Sequence, residues 1–125
     1  LDRAAALPNV WIDTSALVIQ VMATRQNHPI GAPRPIRFKA DFRDPAAVLR
    51  ALAEAYPDRI VWGSDTPAYS YICRRRQGGS TIAEFRLKST YDAEVDALRA
   101  LPRGMQRNLA TRNTLDFLFG RQAAG

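Results

Sequence analysis

The sequence predicts an α/β fold built around a parallel strand–helix–strand unit. Two short apolar runs rich in β-branched and aromatic residues, 10–17 and 60–63, have the composition of strands covered on both faces. Between them, Asp44-Pro45 predicts the start of a helix, because Asp is a favoured N-cap and Pro fits the first helical position. This order predicts two parallel strands joined by a right-handed crossover.

The composition is that of one globular domain. Hydrophobic residues make up 46% of the chain and charged residues 24%, which excludes a disordered polymer. No run approaches the roughly 18 consecutive apolar residues of a membrane helix, and no signal peptide follows Leu1. Because two strands do not form a stable sheet alone, we expect residues 1–125 to be a fragment of a single larger domain.

The net charge bears on whether the protein binds nucleic acid, and the cysteine content bears on the cellular compartment in which it works. The net charge is +6, but the cations are scattered apart from the cluster 74–76, and no nucleic-acid-binding motif accompanies that cluster. The sequence therefore disfavours nucleic acid as a partner. The single cysteine, Cys73, excludes an intrachain disulfide and a cysteine-based structural zinc site. We expect a reduced, cytoplasmic setting.

Two long segments are expected to be irregular. Residues 18–43 show no sustained period and hold three Pro and one Gly within 29–35. Residues 66–88 contain Gly78-Gly79 and are expected to form a second loop. Long loops inside a compact domain are more often functional than decorative. We interpret 68–88 as a lid or a subunit-contact loop.

The helix that Asp44 begins has one apolar face. Its apolar residues recur at helical spacing, while charged residues lie on another face. They are Val48, Leu49, Leu52, Ala55 and Tyr56. Pro57 is expected to end the helix, because Pro cannot continue it.

A second helix is expected shortly after residue 88. Ser89 or Thr90 is placed to cap it, and Asp92 lies three residues beyond Ser89, as in a capping box. The predicted buried face consists of Val95, Leu98 and Leu101.

The last segment is also predicted to be helical. Pro102 separates it from the preceding helix, and Met105 and Leu109 are its apolar residues. Asn113-Thr114 begins a final turn or two, and Gly120 is placed where Gly commonly ends a helix.

Acidic residues follow both predicted strands. The loops at the carboxyl ends of parallel strands build the active sites of α/β folds, so Asp13 and Asp65 are candidates for binding a metal or acting as a general base. Asp can equally cap its own loop by accepting backbone N–H bonds, and we favour that role for Asp13. For Asp65, the flanking Gly63-Ser64 and Thr66-Pro67 favour a site residue on a stiff strand end.

Candidate substrate-binding residues lie in the two long loops. His28 is the single histidine and cannot form a metal centre by itself, because catalytic zinc needs three protein ligands. Arg74 and Arg75 could grip an anionic substrate with paired hydrogen bonds, and Tyr69 could line a pocket. The simpler alternatives are a packed histidine, solvated cations and a core aromatic residue.

Three short motifs follow one another along the chain. They are Asn-Val-Trp-Ile-Asp-Thr-Ser at 9–15, Arg-Ile-Val-Trp-Gly-Ser-Asp-Thr-Pro at 59–67, and Asn113-Thr114 before Phe-Leu-Phe-Gly at 117–120. In combination they resemble the C-terminal part of the amidohydrolase-related metal-dependent hydrolases. That family includes aminocarboxymuconate-semialdehyde decarboxylase and other aromatic-acid decarboxylases. The resemblance spans about residues 1 to 120.

The resemblance implies a fold, a cofactor and a role for Asp65. The fold is the C-terminal portion of a (β/α)8 TIM barrel, with 9–15 as its seventh strand, 60–65 as its eighth, and closing helices. Asp65 is implied to contact a divalent metal, with zinc expected, and to orient or deprotonate the attacking water. The histidines of the family's earlier strands have no counterpart here, and His28 matches none of their positions. We therefore expect the isolated fragment to be inactive and the remainder of the barrel to be its partner.

Three functions are open from the sequence. Hydrolysis by metal-activated water, with Asp65 as metal ligand and general base, is slightly preferred over decarboxylation of an aromatic or enol acid by the same family. The third is a non-catalytic module that binds an anion or nucleic acid. We expect a small-molecule substrate, for which the Arg-rich loops allow an anion, and no membrane association; a homo-oligomer is left open.

Overall fold

The fold is described by a computed structural model. It covers residues 2, 6–29, 31–66, 70–76 and 82–120, with the backbone alone for 70–76, 83 and 85.

The centre of the fold is a parallel pair of short strands. Strand β1 is Ile12–Asp13 and strand β2 is Ile60–Val61, with Ile12 opposite Ile60 in register. Helix α1 (Leu17–Arg25), a 3-10 turn (Arg34–Ile36) and helix α2 (Pro45–Ala55) connect the two strands. The predicted parallel strand–helix–strand unit is therefore confirmed.

Strand β1 is much shorter than the predicted run 10–17. The backbone N–H and the hydroxyl of Ser15 both donate to Oδ1 of Asp13, at 2.9 and 2.7 Å, and turn the chain directly after the strand. Ala16 then adopts a left-handed φ of 54°, and α1 begins at the next residue. The prediction was wrong at this end because an Asp side chain, rather than the apolar pattern, ends the strand.

The segment 18–43 contains a helix where an irregular loop was predicted. Helix α1 buries Leu17, Val21 and Ala23. The β-branched pair Val18-Ile19 resembles the continuation of a strand, but burial of the Leu17 face overrides that local preference. The 3-10 turn is the one regular element within the described residues 31–43.

Helix α2 begins as predicted. Asp44 Oδ1 accepts a hydrogen bond from the backbone N–H of Ala46 at 2.9 Å, and Pro45 is the first helical residue. Three residues of the predicted apolar face are buried, whereas Ala55 is exposed. This face joins α1, β2 and the closing helices in one hydrophobic core: Leu17, Val21, Val48, Leu49, Leu52, Ala53, Ile60, Leu101 and Leu109.

An antiparallel hairpin follows β2 where a second loop was predicted. Strands β3 (Ser70–Arg76) and β4 (Ile82–Lys88) pair with Ser70 opposite Lys88. Gly78-Gly79 fall between them, outside the described residues. The prediction was wrong because paired glycines between two runs mark a hairpin connection as readily as a loop. A role for this hairpin as a lid or subunit contact stays a prediction.

Helix α3 (Tyr91–Arg99) is capped by Thr90, whose Oγ1 accepts from the backbone N–H of Ala93 at 3.1 Å. The predicted capping box between Ser89 and Asp92 was wrong. Ser89 is buried and donates to Glu94 Oε1 at 3.1 Å instead. The tertiary environment of Ser89 therefore replaced the expected local bond.

The predicted apolar face of α3 is only partly correct. Leu101, just beyond the helix, is buried, while Val95 and Leu98 are half-buried. The residues of α3 with the least exposure are Glu94 and Ala97. An acidic side chain thus occupies the centre of the buried face.

The closing segment is helical, as predicted. Helix α4 (Arg103–Arg107) continues through a π-helical stretch (Asn108–Arg112) into helix α5 (Asn113–Phe119). Gly120, with φ 79°, follows α5 in the place expected of a helix-ending glycine.

Asn113 fastens α5 to the outer edge of β2. Its Nδ2 donates to the carbonyl oxygens of Pro57 at 2.9 Å and Ile60 at 2.7 Å. The carbonyls of Arg59 and Val61 face β1, so the carbonyl of Ile60 faces the opposite edge. The closing helices therefore cover that edge of β2 and hold its position.

Candidate active site

The carboxyl ends of β1 and β2 lie side by side. Asp13 is opposite Val61 in register, and Asp65 follows Val61 by four residues. Strand β2 therefore ends before the predicted run 60–63 does, and the prediction that Asp65 lies on the strand end was wrong: it lies in the loop beyond β2. The N–H and the hydroxyl of Thr14 both donate to the Val61 carbonyl, at 3.1 and 3.2 Å, which extends the pairing beyond β1. The two candidate aspartates therefore leave the parallel pair at the edge where α/β folds build their sites.

Asp13 serves the turn that follows β1. Its Oδ1 accepts both hydrogen bonds from Ser15, so the carboxylate is held against its own loop. This is the loop-capping role that the sequence analysis favoured for Asp13. It leaves Asp65 as the stronger candidate for chemistry.

Gly63 is required by a close approach between the two strand ends. A Cβ at residue 63 would lie 2.3 Å from Oγ of Ser15 and 3.5 Å from Oδ1 of Asp13. The first distance is far inside van der Waals contact, so another side chain would make the Ser15 hydroxyl rotate away and give up its hydrogen bond to Asp13. Gly63 thus sets the β2 exit directly against the Asp13–Ser15 turn.

Asp65 presents an exposed carboxylate from a left-handed backbone. Its φ is 57°, a region that few residues other than Gly adopt and that Asp tolerates better than most. Within the described part of the chain, this carboxylate accepts no hydrogen bond. Ser64 and Thr66, on either side, share a hydroxyl–hydroxyl bond of 2.7 Å; Pro67 lies outside the described residues. Strain of this kind is concentrated at functional sites.

Glu94 is a site-proximal residue that the sequence analysis missed. Its side chain has no solvent exposure. The backbone N–H of Val18 donates to both carboxylate oxygens, at 3.1 and 3.3 Å, and Ser89 supplies a third hydrogen bond. The signal was available, because residue 94 continues the Ala97–Leu101 face at helical spacing, so a charge falls on the predicted buried face.

The environment of Glu94 shifts its acidity. Burial raises the pKa of the Glu94 carboxyl, and the hydrogen bonds from Val18 and Ser89 partly oppose that shift. The negative charge of Asp65 also raises the pKa of Glu94. Glu94 and Asp65 are therefore close enough to interact electrostatically.

His28 lies at the other end of α1. Its backbone N–H donates to the carbonyl of Ala23 at 2.8 Å, and its carbonyl accepts from Gly31 at 2.9 Å. These bonds close the C-terminal end of a nine-residue helix, about 14 Å from its N-terminal end, where Glu94 is bound. The structure thus places His28, which is buried, away from the strand ends.

Two of the remaining predicted substrate-binding residues lie in the hairpin. Arg74 and Arg75 lie in β3, with their backbones opposite Glu84 and Ala83 in register. Their side chains, and the whole of Tyr69, lie outside the described part of the structure. Their roles in binding stay predictions.

The donor groups of the described residues do not form a complete metal centre. Among them, no group of three or more His, Cys, Asp or Glu side chains could hold a metal ion. Asp65 has the exposed oxygens of a single ligand, whereas Asp13 and Glu94 accept hydrogen bonds from the protein. These residues therefore fit one ligand position and not a complete metal site.

The parallel strand–helix–strand unit defines a class, the α/β proteins. The family model described as Amidohydrolase matches residues 1–119. The chain therefore belongs to the amidohydrolase family, whose members are metal-dependent hydrolases and decarboxylases that generally use divalent metals. This confirms the predicted amidohydrolase-related family, while the likeness to aminocarboxymuconate-semialdehyde decarboxylase and the place in the barrel stay predictions.

Other comparisons add no closer relative. No curated protein matches the chain, and no solved structure does. In the part of the chain that the structure describes, every helix is too short or too polar to cross a membrane.

Proposed function

We propose that this chain contributes Asp65 to the active site of a metal-dependent hydrolase, as a metal ligand and as the proton acceptor for the attacking water. The observation that carries this proposal is the exposed carboxylate of Asp65, which accepts no hydrogen bond from the described residues. Its lone pairs are open to an ion and a water. The left-handed φ of 57° is further support, because such strain persists where a side chain must be presented in one direction.

The proposed chemistry assigns Asp65 one proton transfer. As a water attacks a carbonyl or ring carbon of the substrate, the carboxylate takes its proton and returns it to the leaving group. A divalent ion, with zinc as the first choice, would supply Lewis acidity at the reacting oxygen. The contact of Gly63 with Ser15 supports this role, because it stiffens the backbone that carries Asp65. We assign the other ligands to the rest of the (β/α)8 barrel that the family implies.

The experiment tests the role of Asp65 by comparing its substitution with that of an exposed aspartate in α3. In the protein carrying this chain, zinc content and turnover are measured for the unaltered protein, for Asp65→Asn, and for Asp92→Asn, an exposed residue in the first turn of α3. We expect about one ion per active site, and a loss of turnover of about 10²- to 10⁴-fold in Asp65→Asn. Asp92→Asn should match the unaltered protein.

The substrates offered decide between the two reactions of the family. Esters, lactones and amides report hydrolysis, while aromatic and enol acids report decarboxylation through released carbon dioxide. A protein that contains no metal and keeps its turnover in Asp65→Asn would contradict both the hydrolase and the decarboxylase assignment. Affinity for generic DNA or RNA that falls steeply with salt would then support a binding module instead.

An anionic substrate is the second part of the proposal. Arg74 and Arg75 are adjacent in β3, and the hairpin follows directly on the Asp65 loop. Replacing both by Ala should raise KM for a carboxylate substrate and leave KM for its neutral ester unchanged. Arg103→Ala, an exposed cation of α4, is the matched control. An equal rise in KM for both substrates would contradict the proposed charge recognition. We also propose Tyr69, which precedes β3 in the sequence, as a residue that lines the substrate pocket.

A further inference from the structure

Helix α1 begins without a cap of its own. Its N-cap residue, Ala16, has no side chain to accept a hydrogen bond, and the first turn of the helix carries no acidic residue. The first four N–H groups of a helix have no intrahelical partner and attract negative charge. The start of α1 therefore needs an acceptor from elsewhere in the molecule.

Glu94 supplies that acceptor from 76 residues away. Both of its carboxylate oxygens accept from the backbone N–H of Val18, at 3.1 and 3.3 Å, and the carboxylate has no solvent exposure. Ser89 donates to Oε1 at 3.1 Å and joins the segment after β4 to the same group. One buried carboxylate thus ties α3, the end of the hairpin and the start of α1 together.

A short series of contacts leads from Glu94 to Asp65. The α1 start that Glu94 holds follows directly on the turn in which Ser15 binds Asp13. Gly63 packs against Ser15 with no room for a Cβ, and Asp65 is two residues further along. Displacement of the α1 start would therefore move the surface against which the β2 exit is set.

We propose that Glu94 is a positioning residue for Asp65, which it places by holding the start of α1 and the Asp13–Ser15 turn against the β2 exit. This inference rests on the function proposed for Asp65. Glu94 touches no reacting atom in this role and acts through Ser15 and Gly63.

The test compares Glu94→Gln with a variant destabilised elsewhere. Gln keeps the shape but replaces one acceptor oxygen with a donor that faces the N–H of Val18. Ala51→Gly, in the middle of α2, loses stability through helix propensity alone. In the metal-loaded protein, we expect Glu94→Gln to lower kcat about 10- to 100-fold with KM nearly unchanged. Ala51→Gly should lose about as much Tm as Glu94→Gln does, but its kcat should equal that of the unaltered protein.

A second readout does not depend on turnover. Backbone amide chemical shifts of Ser15, Gly63 and Asp65 should move in Glu94→Gln and stay in place in Ala51→Gly. Should Glu94→Gln fail to fold, Ser89→Ala removes one partner of the carboxylate and keeps its charge. That variant should show the same changes at a smaller size.

The outcomes separate this inference from the proposed function. If kcat and the amide shifts of Glu94→Gln match those of Ala51→Gly, Glu94 has only a structural role and the inference is overturned. Loss of turnover in Asp65→Asn alongside that result would leave the proposed function standing. Full turnover in Asp65→Asn would overturn the proposed function, whatever Glu94→Gln does.

Discussion

Gly63 and Ser15 meet so closely that a side chain at residue 63 would require the Ser15 hydroxyl to rotate away. A Cβ on residue 63 would lie 2.3 Å from Ser15 Oγ. That hydroxyl is itself held at 2.7 Å by Asp13 Oδ1, so it cannot move without losing a hydrogen bond. The two strand ends are therefore fitted to each other, and the backbone leading to Asp65 depends on that fit.

Gly63→Ala should lower the free energy of unfolding by about 0.5 to 1.5 kcal/mol, the usual net contribution of the hydrogen bond that Ser15 would give up. Removal of the clashing hydroxyl in the double variant Gly63→Ala with Ser15→Ala should recover part of that loss. Urea unfolding measures both. Gly104→Ala is the matched control, because a Cβ there meets nothing within 4 Å and Ala favours the helix. A double variant no better than the single one would contradict the clash.

Asn113→Ala should destabilise the protein by about 1 to 3 kcal/mol, because it leaves the buried Ile60 carbonyl and the part-buried Pro57 carbonyl without their donor. Asn113→Asp should be at least as damaging, since it places an acceptor against those carbonyls. Asn108→Ala, in the neighbouring π-helical segment and half-buried, is the control and should change stability little. Thermal and urea unfolding provide the comparison. Equal effects at both positions would refute a specific role for Asn113.

The three non-glycine residues with left-handed φ in the described ranges, Ala16, Asn27 and Asp65, should respond differently to Gly. Ala16→Gly should raise stability by about 1 kcal/mol, because Ala has no local compensation for this backbone. Asp65→Gly should keep or slightly raise stability while abolishing turnover. Asn27→Gly should leave turnover unchanged. Unfolding free energies and kcat together check this; a large loss of stability in Asp65→Gly would show that its side chain is structural.

Glu94 should make the stability of the native state fall as pH rises above the usual carboxyl pKa of 4.5. Burial raises the pKa of Glu94 in the folded protein, so the native state holds its proton more tightly than the unfolded chain does. Between 4.5 and the raised value, the unfolded state binds fewer protons, and the free energy of unfolding decreases with pH.

Urea unfolding over a pH series, with Glu94→Gln as the reference, isolates this contribution. The advantage of the unaltered protein over Glu94→Gln should be largest below pH 4.5 and should shrink through the window above it. An advantage that grows with pH would mean that the hydrogen bonds from Val18 and Ser89 outweigh burial, and the assigned direction would be wrong.

Local chemistry explains which elements the sequence predicts well. The start of α2 depends on Asp44-Pro45, and the end of α5 on Gly120, and each signal lies within a few residues of its effect. Strand β2 is predicted because apolar residues lie between turn residues. The end of β1 is missed although it is also local, because the Asp13–Ser15 turn competes with an apolar pattern that continues past it.

The hairpin and α1 show the limit of local patterns. Burial of Leu17 and Val21 makes α1 a helix in spite of its β-branched residues. The hairpin depends on pairing between Ser70 and Lys88 across 18 positions of sequence. Strand pairing and burial depend on residues elsewhere in the chain. The local sequence therefore indicates only a change of direction near Gly78-Gly79.

The sequence by itself determined the strand–helix–strand order, the family, and the place of Asp65 in the segment that follows β2, because these depend on short motifs and on spacing along the chain. The tertiary structure alone decided that Glu94 caps α1, that Asn113 covers the edge of β2, and that Gly63 packs against Ser15. The physical reason is distance along the chain. A hydrogen bond or a close contact between residues about 50 to 76 positions apart leaves no periodic signal in either segment, and it exists only once the core has brought them together.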